Sequence, residues 1–272
     1  MKKRILIALL SVVILSCKKE KPTEIIVIGT QHKPVPNFNA DILFDILEDV
    51  QPDFILHESD SSHYTADFKF KKEPKENEGI ASLKYQKKYP EVAFRPHEFE
   101  GRNQHRINKG MRPTDKLTFR LLDSLNKADL LTKTESEILN TYRNHLNPLI
   151  EIASKSAEYF NNEKADSLCE IRQFYQYKMI PKITNTREEF ANHFHTKPNG
   201  EKISYRDGYQ LWADFWDLRN QTMAKNILKT AEQNQGKRLV VLTGFMHRYY
   251  IRKELKRLIE GKNIVLKEFY QK

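Results

Sequence analysis

Two short apolar runs in this chain end in the same way, and they lie near its opposite ends. Ile25-Ile26-Val27-Ile28-Gly29-Thr30-Gln31-His32 is one, and Val240-Val241-Leu242-Thr243-Gly244-Phe245-Met246-His247 is the other. Each has the length and β-branched content of a buried strand. Each glycine permits a sharp turn, with a histidine three residues later. If the two strands share a parallel sheet, both imidazoles leave from its carboxyl edge, where open α/β sheets place their sites.

The pattern between the runs predicts an α/β fold. Its central sheet is mixed but largely parallel and flanked by helices. A strand at Glu24–Gly29 precedes a helix from about Asn39 to Val50, and Phe54 to Glu58 reads as a second strand, giving a βαβ unit. A polar, Lys-rich stretch from Ser59 to Pro90 follows, then a third strand, Glu91–Arg95. Residues 113–205 read as a helical insertion. It includes a helix starting at Pro113 and another opened by a capping box at Thr134 and Glu137. A helix at Asp207–Gln233, the strand Arg238–Thr243, a helix at Tyr249–Glu260 and the strand Ile264–Phe269 complete the chain.

Residues 1–16 are expected to lie outside this fold. Lys2, Lys3 and Arg4 precede an apolar stretch from Ile5 to Leu15, and Leu15-Ser16-Cys17 resembles a bacterial lipoprotein signal. Cys17 would then carry lipid, residues 17–23 would form a tether, and residues 24–272 a single domain anchored to an envelope membrane. Cys169 is left without a partner for a disulfide. The formal charge of +10 falls to +7 once Lys2, Lys3 and Arg4 are removed, and the basic residues are scattered. No nucleic-acid motif accompanies them, so nucleic acid is not an expected partner.

Nucleotide-binding glycine loops, a Gly-x-Ser-x-Gly elbow and a His-Glu-x-x-His helix are all absent. What remains is a set of residues on loops after strands: His32, Glu58 and His247. Two imidazoles and a carboxylate suit a divalent metal with a water in its open position. Without metal, the same trio supplies a general base and its orienting carboxylate. Glu58 alone also fits a helix cap or an ion pair. His57, Asp60 and His63 are neighbours of lower rank, and strand alternation points His57 away from Glu58. Arg219 lies on the apolar stripe of its helix with Trp212, Phe215, Trp216, Met223 and Ile227. A guanidinium there requires a buried carboxylate or an anionic or carbonyl-bearing ligand. The segment Arg95 to Arg102 is dense in charge. It reads chiefly as a surface ion-pair loop, though it follows a strand and reaches the same edge.

These residues resemble the pattern of the TraB/TIKI superfamily, with the erythromycin esterases and ChaN-like haem-binding lipoproteins as more distant relatives. The resemblance covers residues 24–58 and 207–269 and places His32, Glu58, Arg219 and His247 at the family's functional positions. It implies a hydrolase of amide or ester bonds in peptides or small molecules, metal-dependent in one branch. His32, Glu58 and His247 would ligate zinc, manganese or cobalt, and Arg219 would hold the substrate or its oxyanion. The rival reading is a non-enzymatic lipoprotein that binds haem or metal through a histidine.

Overall fold

A computed structural model describes residues 21–271. The expected signal segment and Cys17 lie outside these residues. The elements are β1 (Thr23–Thr30), α1 (Ala40–Val50), β2 (Phe54–His57), α2 (Asn77–Lys88), β3 (Ala93–Pro96), α3 (Arg102–Asn108), α4 (Met111–Lys127), α5 (Lys133–Asn144), α6 (Leu146–Ala153), α7 (Glu163–Phe174), α8 (Ile180–Thr186), α9 (Glu188–Asn192), β4 (Phe194–Thr196), β5 (Lys202–Ser204), α10 (Tyr205–Gln233), β6 (Arg238–Gly244), α11 (Phe245–Leu258) and β7 (Ile264–Lys267).

Five strands form the central sheet in the order β3-β2-β6-β1-β7, and every neighbouring pair is parallel. The fold is therefore the expected α/β type. Among the described residues, β4 and β5 form a small antiparallel ribbon apart from this sheet. Both sheet faces are covered, which is why the strands read as continuous apolar runs. Ile26, Ile28, Ile55, Val240 and Leu242 pack with Leu43 and Leu47 of α1. Ile25, Val27, Leu239 and Val241 pack on the opposite side with Met223 and Ile227 of α10 and Ile251 and Leu255 of α11.

The two Gly-x-x-His strands are direct neighbours. β6 inserts between β1 and β2, with Gly29 opposite Thr243 and Thr30 opposite Gly244. The glycines act through close approach. A Cβ on Gly29 would lie 2.8 Å from the Phe245 Cα, and one on Gly244 would lie 3.2 Å from His32 Nε2 and 3.6 Å from Glu58 Oε2. Neither glycine is among those with positive φ, so the expected turn freedom is not what these positions use.

Several boundaries differ from the sequence expectation. The Lys-rich stretch contains α2, whose buried face of Asn77, Glu78, Gly79, Ala81, Ser82 and Tyr85 has no apolar stripe to betray it. The capping box before α5 is formed by Thr132 and Glu135. Arg187 also grips Glu135 at 3.0 Å, which favours that register over the one at Thr134. α11 starts at Phe245 directly after β6, so His247 lies in a helix's first turn rather than on a loop. Arg112 is extended, and regular helix in α4 resumes at Pro113.

Because the neighbour of Gly29 is backbone, it cannot yield as a flexible side chain would. Gly29→Ala is expected to destabilise the fold by about 1–3 kcal/mol, measured as a lower urea midpoint at unchanged m-value.

Candidate active site at the carboxyl edge of the sheet

The chain leaves β1, β2, β3 and β6 at one edge and delivers His32, Glu58, Glu98 and Gly244 there. Arg219 enters from α10 and links most of them. Its Nε donates to Glu98 Oε1 at 2.9 Å, and its Nη2 donates to Glu98 Oε2 and Glu58 Oε1, each at 2.5 Å. Its Nη1 lies 2.7 Å from His247 Nε2. A guanidinium only donates, so Nε2 accepts and Nδ1 carries the proton, which it gives to Asn220 Oδ1 at 2.8 Å. Trp216 stacks on the imidazole at 4.5 Å. Arg102 adds a second guanidinium to Glu98 at 2.8 Å. Two carboxylates, two guanidinia and a neutral histidine thus form a charge-balanced buried cluster.

Glu58 is held on both oxygens. Oε2 accepts from the Gly244 backbone N–H at 2.7 Å and from the Thr243 hydroxyl at 2.6 Å, at the positive N-terminus of α11. Burial opposes its charge, but the Arg219 guanidinium and the Thr243 hydroxyl prevail and hold the carboxyl well below its ordinary range. His247 is also lowered, which for a histidine removes the charge rather than keeping it. Burial, with the adjacent Arg219 charge, pushes it down to about 3.

His32 stands apart from this cluster. Its side chain is 45% exposed, and Nδ1 lies 2.7 Å from Glu78 Oε1. The Thr30 hydroxyl donates to the same oxygen. The arrangement is clamped by Asn77, whose backbone N–H donates to the His32 carbonyl at 3.0 Å and whose side chain donates to the Gln31 carbonyl at 2.7 Å. The hydrogen bond to Glu78, against the opposing effect of burial and helped by the charges of Glu78, Glu58 and Glu76, raises His32 to about 9. The ring is an imidazolium at neutral pH. His32, Glu58, Glu78 and Glu98 line one cavity of about 680 Å³, whose lining also includes the Lys71–Glu76 segment.

The structure brings Glu58, Arg219 and His247 into one bonded network, with His32 beside Glu58 across Gly244. It does not bring the three expected metal ligands to one point. Both His247 nitrogens are engaged, so ligation of a metal or haem iron through it requires breaking the bond to Arg219 or to Asn220. His57 packs away from Glu58, on Ser82 and Phe94. Asp60 caps a short turn at Ser62, and His63 is an exposed residue on the cavity wall. Cys169 is buried, and its thiol is pushed up to about 12 by that burial.

Five residues at this edge were not singled out as site residues by the sequence reading. Glu98 belongs to the segment read chiefly as a surface loop, yet it is 3% exposed. Asn220 simply follows Arg219. Glu76 and Glu78 flank the start of α2, and acidic residues there with Lys87 and Lys88 in the last turn were the available helix signal. His97 is fully buried with neither ring nitrogen bonded, and burial pushes it down to about 4.

No protein-family model, curated protein or solved structure matches the chain.

Two outcomes follow from this geometry. Arg219→Met removes the buried cation shared by Glu58 and Glu98 and is expected to cost about 3–5 kcal/mol in chemical denaturation. His57, His97 and His247 are all buried and neutral, with pKa values of about 3, 4 and 3. Their stabilisation is present above the unfolded value of about 6.5 and is lost as pH falls below it, because the unfolded chain then binds the protons. His32 is charged in both states there and adds no slope. Each of the three adds at most about 1.4 kcal/mol per pH unit, and His97→Gln should lower the measured slope by up to that amount between pH 6 and 5, above the range in which Glu58 adds its own dependence.

Proposed function

We propose that this protein is a lipid-anchored envelope hydrolase of ester or amide bonds, with His32 as the residue that exchanges a proton with the substrate. The observation that carries the reading is the placement of His32. Of the two Gly-x-x-His histidines it is the one that opens onto the cavity, and the buried carboxylate of Glu78 orients and charges it. The envelope anchor rests on the segment from Lys2 to Cys17. Among the described residues no helix is long and apolar enough to cross a membrane.

In this reading the imidazolium faces the oxygen or nitrogen on which charge develops. Water adds to the carbonyl carbon, and the flanking carboxylates take up its proton. The leaving-group bond then breaks as the His32 proton moves to the departing atom. Arg219 does not act on substrate directly, since nearly all its N–H groups are committed. It holds Glu58 against Gly244 and fixes the wall beside His32.

Chromogenic esters and anilides, assayed with the full chain in detergent and EDTA, test the proposal. His32→Gln is expected to lower kcat/KM at least about 100-fold without loss of fold. Wild-type activity is expected to persist below pH 9 and to fall as pH rises through about 9, because the proton required of His32 is then lost. Glu78→Gln should move that fall toward the ordinary histidine range. Unchanged turnover in His32→Gln would sink the reading.

A further inference from the structure

Apart from His32 itself, the buried carboxylate of Glu78 has no basic partner of the kind that buried acids ordinarily have. Ligand atoms of His32, Glu76 and Glu78 all lie within 4.8 Å of one another. Glu78 is 8% exposed, and its Oε2 has no hydrogen-bond partner. Among the described residues, no lysine or arginine forms an ion pair with Glu76 or Glu78. The ion pairs elsewhere at this edge go to Arg219 and Arg102. The three residues come from two segments, the loop after β1 and the start of α2, and the Asn77 clamp holds those segments together.

We propose that His32, Glu76 and Glu78 form a binding site for a divalent cation of the manganese or zinc type. One imidazole nitrogen and two carboxylates are a hard-to-borderline donor set, suited to such ions and unsuited to copper(I). Glu78 is the buried anchor of the site, with a bare oxygen to offer. Glu76 and His32 are exposed and close over the ion from the cavity side. The cavity leaves room for water in the remaining coordination positions. This set replaces the His32, Glu58 and His247 trio expected from the sequence and shares only His32 with it. The site stands independently of the hydrolase reading. The two readings use different states of His32: as a ligand its free ring nitrogen has given up the proton that the hydrolase reading keeps, so bound cation is expected to inhibit turnover.

Isothermal calorimetry of the full chain in detergent with manganese chloride and zinc chloride provides the test, with magnesium chloride as comparison. One equivalent of manganese or zinc is expected to bind. His32→Gln and Glu76→Gln should each weaken binding at least about tenfold, as loss of one of three ligands requires. Glu73→Gln changes a carboxylate on the same cavity wall but outside the cluster, and it should bind as wild type does. Because His32 and Glu76 are exposed, their variants retain the fold by circular dichroism even if Glu78→Gln does not. In wild type, manganese should selectively broaden the His32 ring signals in proton NMR. Absence of stoichiometric binding, or wild-type affinity in His32→Gln and Glu76→Gln, would overturn the proposal. Calorimetry reads no turnover, so either result leaves the esterase and anilide assays to decide hydrolysis separately.

Discussion

The buried Arg219 guanidinium is the constraint on which the carboxyl edge depends. It reaches Glu58 at the end of β2, Glu98 after β3 and His247 at the start of α11, so one side chain ties three separate chain segments to α10. Such a charge is tolerable only because nearly every N–H has an acceptor and the carboxylates balance it with Arg102. The same guanidinium determines the state of His247. It demands a lone pair from Nε2, which leaves the ring neutral and hands its proton to Asn220.

Two histidines with matching sequence contexts thereby acquire opposite electrostatics. His247 enters a helix directly after its glycine and is driven under Arg219 and Trp216. His32 lies in a bend just past the end of β1, turns outward and meets Glu78. Burial beside a cation lowers one, while a carboxylate partner raises the other, from about 3 to about 9. The glycines make this possible by their size. Gly29 lets Phe245 cross β1, and Gly244 lets His32 and Glu58 draw close to the end of β6.

Much of this was legible in the chain. β-branched runs gave away the strands, because a doubly covered parallel sheet needs apolar residues at every position. The periodic stripe of α10 exposed Arg219 as an inward charge requiring an anion. Glu98 and Glu78 were hidden for a common reason: their partners lie far away in sequence, and charged residues in polar segments resemble solvated surface until the fold buries them. α2 was obscured by its own face, since small and polar residues pack as closely as apolar ones but leave no hydrophobic period.

By itself, the sequence determined the parallel α/β character, the shared edge of the two Gly-x-x-His strands and the need for an anion at Arg219. Those follow from local residue patterns and from the high cost of burying an unpaired charge. Only the tertiary structure decided that β6 lies between β1 and β2, that Glu58 and Glu98 are the anions, and that His32 opens to the cavity while His247 is sealed. These outcomes depend on contacts between residues far apart in the chain, such as the Thr30 hydroxyl on the Thr243 carbonyl, 213 positions apart, and the Gly244 N–H on Glu58, 186 apart. No local pattern encodes which partner a buried charge will find.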